Sequence, residues 1–391
     1  MLPSELPKYK DISGCAIAGI LSEDGRCFSG RQIMAAIANM HDRSNGLGGG
    51  FAGYGIYPEF KDYYALHIMF EDEVSAHETE DFLQRTFIIH HKEVIPHRHD
   101  TSIRKHPLIR RYFVTPIPIR EDTPDIVYER LSEEDMVFRA VMEINTRIRG
   151  AFVFSSGKNM GIFKGVGYPE DIGEFYQLDQ YKGYLWVAHG RFPTNTTGWW
   201  GGAHPFGLLN WSVVHNGEIS SYGINRRYLA NFGYHCALHT DTEVIVYLFD
   251  LLIRKHGMPL EAACVALAPP FWSDFARMPE ENQKIARYIR MVYGGALLNG
   301  PFSIILSDSN GMIGFNDRIK LRPMVAARRD DFLYIASEEA AIRVMCPSPD
   351  VIWHADGGVP IIGRLKSAPP EPVSAFYSRY YLPEQARSIA R

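Results

Sequence analysis

The sequence predicts an α+β fold in which antiparallel sheets are covered by helices. Three observations predict it: short apolar runs recur along the whole chain, turn residues join several of them, and only a few stretches carry helical periodicity. The strand candidates are 16–21, 51–57, 64–70, 112–117, 151–154, 184–188, 208–214, 302–307 and 332–336. Gly157-Lys158-Asn159 reads as a hairpin turn from 151–154 into 160–163, and Ser309-Asn310-Gly311 as one from 302–307 into 312–315. Ser29 with Gln32 has the pattern of a capping box opening a helix through Ile33, Met34, Ile37 and Met40. Ser132 opens a second, with Val137, Phe138, Val141, Met142 and Ile144 on one side and Gly150 as its stop. A third starts near Thr242 and ends in Arg254-Lys255-His256-Gly257, a cationic last turn followed by a C-cap glycine.

The organisation is read as one domain over 15–363, preceded by a leader over 1–14, interrupted by an insertion over 72–150 and followed by a tail over 364–391. The tail is set apart by Pro369, Pro370, Pro372 and Pro383 among Phe376, Tyr377, Tyr380 and Tyr381. With 46% apolar and 22% charged residues the chain has an ordinary globular composition. A net charge of -4 supplies no reason to expect nucleic acid or an anionic membrane. No apolar run reaches the roughly 18 residues of a membrane span, and 1–14 lacks the apolar core of a secretory signal. Five scattered cysteines without a Cys-x-x-Cys pair argue against a disulfide framework, a zinc site or an iron–sulfur cluster carried by this chain alone. A cytoplasmic location is expected.

Four segments carry chemistry. Cys15 stands just before a buried strand; it becomes a nucleophile if the residues before it are removed, because a free α-amine can then serve as its base. Otherwise it is a core cysteine. Arg191, at a strand end, offers a fork for an α-carboxylate or an ordinary surface ion pair. Asn216-Gly217 supplies a side-chain amide and a backbone N–H for an oxyanion hole, or simply a turn. Asp241, in a helix-opening turn that also caps the helix, can accept hydrogen bonds from a substrate ammonium. Together they describe a free amino acid with an amide side chain.

Their order resembles the class II, N-terminal-nucleophile glutamine amidotransferases, and within them the amidotransferase part of glutamate synthase. The matching blocks are Arg191-Phe192-Pro193-Thr194-Asn195-Thr196, Ala203-His204-Pro205-Phe206, His215-Asn216-Gly217-Glu218-Ile219 and Asp241-Thr242-Glu243. Gly300-Pro301-Phe302, Asn316-Asp317-Arg318, Leu321-Arg322-Pro323 and Ala336-Ser337-Glu338 look like the closing segment, and Met40-His41-Asp42-Arg43 loosely like the loop after the first helix. The resemblance implies a four-layer αββα sandwich of two antiparallel sheets. It implies Cys15 as nucleophile with its own α-amine as base, Arg191 on the glutamine carboxylate, Asn216 and Gly217 as oxyanion hole and Asp241 on the ammonium. Ammonia from L-glutamine would pass to a partner synthase subunit carrying FMN and an iron–sulfur cluster, in a hetero-oligomer; this chain itself is expected to hold no cofactor. An amidotransferase-like subunit of an N-methylglutamate synthase and a non-catalytic subunit with its leader in place are the alternatives. The family usually has glycine where this chain has Ala16.

Other features read as structure. The G-x-G-x-x-G pattern from Gly48 to Gly53 opens no helix after a strand, so it reads as a flexible loop beside the nucleophile. His90, His91, His97, His99 and His106 read as a solvated or interface face, since no cysteine and no helical i, i+4 pair accompanies them. Trp199-Trp200 lines the glutamine pocket or stiffens a surface loop. Cys27, Cys236, Cys264 and Cys346 read as packing residues.

Overall fold

The computed structural model describes residues 14–99, 102–103, 105–118, 131–192 and 198–369. The expected leader, Gly14 apart, and the tail beyond residue 369 lie outside these.

Two antiparallel sheets face each other. The first has seven strands in the order Val351–His354, Val325–Arg329, Phe332–Ala336, Ala16–Ser22, Leu185–Gly190, Gly49–Tyr54 and Met160–Gly165. The second has five, in the order Phe206–Leu208, Trp211–Gly217, Phe302–Asp308, Gly311–Asn316 and Ile361–Arg364. Helices Arg31–Ala38, Pro169–Phe175 and Glu339–Met345 pack on the first sheet, while Asp241–Phe249 packs on the second beside Tyr222–Ala230. The result is the four-layer αββα sandwich.

Strand alternation fixes which side chains meet between the sheets. On strand Ala16–Ser22, a side chain at Gly19 would touch Met312 and Ile305 of the second sheet, so odd-numbered positions face inward. On strand Trp211–Gly217, Ser212 takes a hydrogen bond from Tyr54 Oη of the first sheet (2.7 Å), so there even-numbered positions face inward. Val214 and Ile305 accordingly join the core of the first sheet, and Val213 and Leu306 the core under the helices.

The expected insertion is a third sheet whose strands reach beyond 72–150. Its order is Phe87–Val94, Leu108–Pro116, Tyr64–Phe70 and Ala151–Ser155, all antiparallel. With helices Glu73–Thr86 and Glu133–Arg147 it runs strand-helix-strand-strand-helix-strand, the split βαβ arrangement.

Several local expectations are corrected. Residues around Gly157 form no hairpin: Ala151–Ser155 pairs with Tyr64–Phe70 in the third sheet, and Met160–Gly165 with Gly49–Tyr54 in the first. The 208–214 run is a hairpin, with Leu209 at φ 52° and Asn210 between two strands. The capping box is not formed: Gly30 is the N-cap residue, and Ser29 Oγ before it accepts from Arg31 N (3.2 Å) and donates to Asp179 O (2.7 Å). The glycine-rich stretch is a buried strand, since a Cβ at Gly50 would lie 2.4 Å from His204 O and 2.5 Å from Phe163 O. Cys27 is exposed rather than packed. The Ser132 cap is present, its hydroxyl accepting from Asp135 N (3.1 Å), and the Ser309-Asn310 turn pairs Asp308 with Gly311.

Candidate active site

Inward alternation brings Cys15 and Asn216 to the same end of the sandwich, one from each sheet. Cys15 continues the inward parity of Ile17 and Gly19, and Asn216 that of Ser212 and Val214. Ala16 pairs with Gly190 across the ladder, so Cys15 also lies beside the strand end that carries Arg191. Phe192 N donates to Cys15 Sγ (3.4 Å), and a side chain built on Gly14 would stand 3.8 Å from Asn216 Oδ1. The thiol, guanidinium and amide are thus gathered at one place.

Asn216 is fully buried, yet among the described residues neither its Oδ1 nor its Nδ2 has a hydrogen-bond partner. Leaving a buried amide unsatisfied costs roughly 1–3 kcal/mol, so this amide is available to a water or ligand that enters the site. Gly217 has φ 150° and no room for a side chain, because a Cβ would lie 2.0 Å from Pro301 O. Glycine is obligatory there.

The opposite parity sends His215 to the helix side. Its Nδ1 lies 3.2 Å from Thr242 Oγ1 and 3.7 Å from Asp241 Oδ2. His204 Nε2 meets the same hydroxyl at 2.6 Å and stacks on His189, whose Nε2 donates to His215 O (3.0 Å). Burial holds His189 down to about 3 and His204 well below the usual imidazole range, so both are neutral. Asp241 opens helix Asp241–Phe249 behind Thr240, the residue that caps it through Glu243 N (3.2 Å). Burial alone would raise the Asp241 carboxyl; His215 and the N–H groups of Ile219 and Thr242 outweigh it and keep it ionised. The expected cap is therefore made by Thr240 of this turn, and Asp241 accepts from Ile219 N on its Oδ2 (3.0 Å).

Burial also raises the Cys15 thiol, with the Phe192 N–H, Arg191 and Arg322 working against it. The thiol therefore needs a base. Arg191 is fixed through its backbone, N to Gly48 O (2.9 Å) and O from Asn45 N (3.2 Å), while a Cβ on Gly48 would press on its Cδ.

Sequence reasoning missed two arginines. A Cβ on Gly14 would lie 3.3 Å from Arg322 Nη1 and 3.4 Å from Arg43 Nη1, so both guanidiniums stand at the residue preceding Cys15. Arg43 is paired with Glu338. Arg322 is placed by Asp317, whose carboxylate accepts from the N–H groups of Phe302, Ile319 and Leu321, and by Asn316 Nδ2 on Arg322 O (3.0 Å). The motifs contained both arginines, but nothing in a cation's local sequence shows where a loop will carry it. Trp199 packs edge-on to Phe152 and Trp200 to Phe175; both line a cavity of about 650 Å³ with Asn45, Ile103 and Tyr168.

Comparison with known proteins places the chain in a family. The family described as glutamine amidotransferases class-II matches residues 59–351, a span that starts beyond Cys15. An uncharacterized protein of Archaeoglobus fulgidus is 51% identical over 361 residues, covering 92% of this chain and 94% of its own. A Methanothermobacter thermautotrophicus protein, named only provisionally as a glutamine amidotransferase, is 26% identical over 88% of this chain and 98% of its own. The glutamate synthase [NADPH] large chain of Bacillus subtilis is 26% identical over 49% of this chain, a match spanning 14% of that much longer protein. With the family's own model covering most of the sandwich, the chain belongs to the class-II glutamine amidotransferases.

Proposed function

We propose that the protein is the glutaminase component of a glutamate synthase, hydrolysing L-glutamine at Cys15 and passing ammonia to a separate synthase subunit. The observation that carries the site is the buried, unsatisfied Asn216 amide facing the strand that presents the thiol. Arg191 takes the α-carboxylate and Asp241 the α-ammonium of glutamine. Once residues 1–14 are removed, the freed α-amine of Cys15 accepts the thiol proton and the sulfur attacks the side-chain carbonyl. The oxyanion is held by Asn216 Nδ2 and the N–H of Gly217. Collapse breaks the C–N bond, the protonated amine returns its proton to the departing ammonia, and water cleaves the thioester to glutamate.

One feature supports an acceptor on another subunit. An exposed apolar surface adjoins the site: Trp272, Tyr288 and Met291 are 62%, 64% and 74% exposed. Arg290 stacks on Trp272 and Arg318 on Phe271, which ties this surface to Ile319, Leu321 and so to Arg322. Contiguous exposed apolar area of this kind marks interaction sites. FMN and an iron–sulfur cluster would belong to the synthase subunit.

Cys15→Ala in the complex tests the reading. It should abolish glutamine-dependent glutamate formation and leave the ammonia-dependent reaction intact; loss of both would make Cys15 structural. Mass spectrometry of the protein from its own cell should show residues 1–14 removed. Their persistence in an active complex would favour a non-catalytic subunit.

A further inference from the structure

The five clustered histidines divide into two groups. His90 stacks on Tyr63 and His91 on Phe60, as ordinary aromatic packing. His97, His99 and His106 instead converge, with one ring nitrogen from each lying within 4.8 Å of the others. His97 and His106 stand 4.7 Å apart between ring centroids, and His97 and His99 4.8 Å.

Ring orientation is set from outside the cluster. His97 Nδ1 lies 2.8 Å from Ile95 O, and His106 Nδ1 lies 2.9 Å from Pro107 O. A carbonyl only accepts, so each Nδ1 carries its proton and each Nε2 keeps its lone pair. A backbone carbonyl on the far nitrogen is the arrangement that orients metal-binding imidazoles. His97 Nε2 is buried and, among the described residues, has no partner. Phe175 stacks on the His97 ring (4.9 Å) and packs against His106 (5.2 Å), with Trp200 beyond it, so the rings are held against a wall.

We propose that His97, His99 and His106 form a binding site for a divalent first-row transition metal, zinc foremost, separate from the glutamine site. Three imidazoles suit such an ion and leave a fourth position open. Modest side-chain rotation brings the nitrogens to the spacing of about 3.4 Å that tetrahedral bonds of about 2.1 Å require. The ligands sit in the connection between strands Phe87–Val94 and Leu108–Pro116, which leaves the third sheet and reaches helix Pro169–Phe175 of the sandwich through Arg98 N on Phe175 O (2.8 Å). A bound ion would clamp the insertion onto the sandwich, against the Trp200 segment that leads to His204.

Full-length protein stripped with a chelator is titrated with Co²⁺, followed by visible absorption, and then with Zn²⁺. One equivalent of Co²⁺ should bind and be displaced by Zn²⁺. His99→Ala, at an exposed position, and His97→Ala should each weaken binding by at least about 100-fold, and His90→Ala should leave it unchanged. Zn²⁺ should raise the thermal midpoint of the unaltered protein and not that of His99→Ala. Failure of the unaltered protein to bind Co²⁺, or equal affinity in it and in His99→Ala, would overturn the proposal. Glutaminase activity is not the readout, so the outcome is independent of the function proposed above.

Discussion

Two buried polar sites, His67 on a strand of the third sheet and Asn216 at the end of the sandwich, solve the same problem in opposite ways. His67 is fully buried, but its Nδ1 reaches Ile162 O (2.8 Å) and its Nε2 reaches Tyr57 Oη (3.0 Å). Tyr57 is in turn bonded by Arg111 (2.8 Å), which pairs with Glu93. Both ring nitrogens of His67 thus have a partner inside the protein. Asn216 is as buried and has none among the described residues. A satisfied buried group serves the fold; an unsatisfied one is held in readiness for something that arrives. The difference separates structural polarity from functional polarity without reference to any motif.

Three substitutions probe that contrast. Gly217→Ala should have the largest effect, because its methyl would collide with Pro301 O. Glutamine hydrolysis should fall by at least about 1000-fold with a lowered thermal midpoint, and near-normal turnover would show that this glycine does not shape the site. Asn216→Ala should slow turnover by about 100-fold or more while leaving stability unchanged or slightly higher, since it removes an amide that the fold does not satisfy. A large loss of stability with normal turnover would invert the comparison. His67→Gln should leave turnover alone and act only on the acid limb of stability. Burial holds His67 down to about 3, against 6.5 in the open chain, so the unfolded state binds the proton first. Its contribution is fully present above pH 6.5 and is lost as pH falls towards about 3, at up to about 1.4 kcal/mol per pH unit. Urea midpoints measured across that window should flatten by one proton's worth in the variant.

What could be read from the sequence follows the range of the interaction concerned. The core strands of both sheets were legible, because apolar runs and alternation are local. The grouping of Cys15, Arg191, Asn216 and Asp241 was legible as chemistry, since together they suit the groups of one amino acid. The third sheet was not. Strand Tyr64–Phe70 pairs with Leu108–Pro116 and Ala151–Ser155, far along the chain, and no turn residue announces such partners. The turn at Gly157 misled for the same reason: two strands joined by a good turn sequence went to different sheets. Arg43 and Arg322 were illegible because only the folded loops carry them to Gly14. Similarly, the histidines were dense in the sequence but lacked a helical i, i+4 pair, and a connection of the third sheet folded back to bring three of them together.

Cys15 and the Asn216 amide are presented by different sheets, with 200 residues of chain between them. Their separation is therefore governed by what fills the middle of the sandwich, where Gly19 admits Met312 and Ile305 at contact distance. Thickness in the core becomes reach at the rim. A residue's bulk deep in the interior can thus tune a reaction it never touches, by setting how far one wall stands from the other.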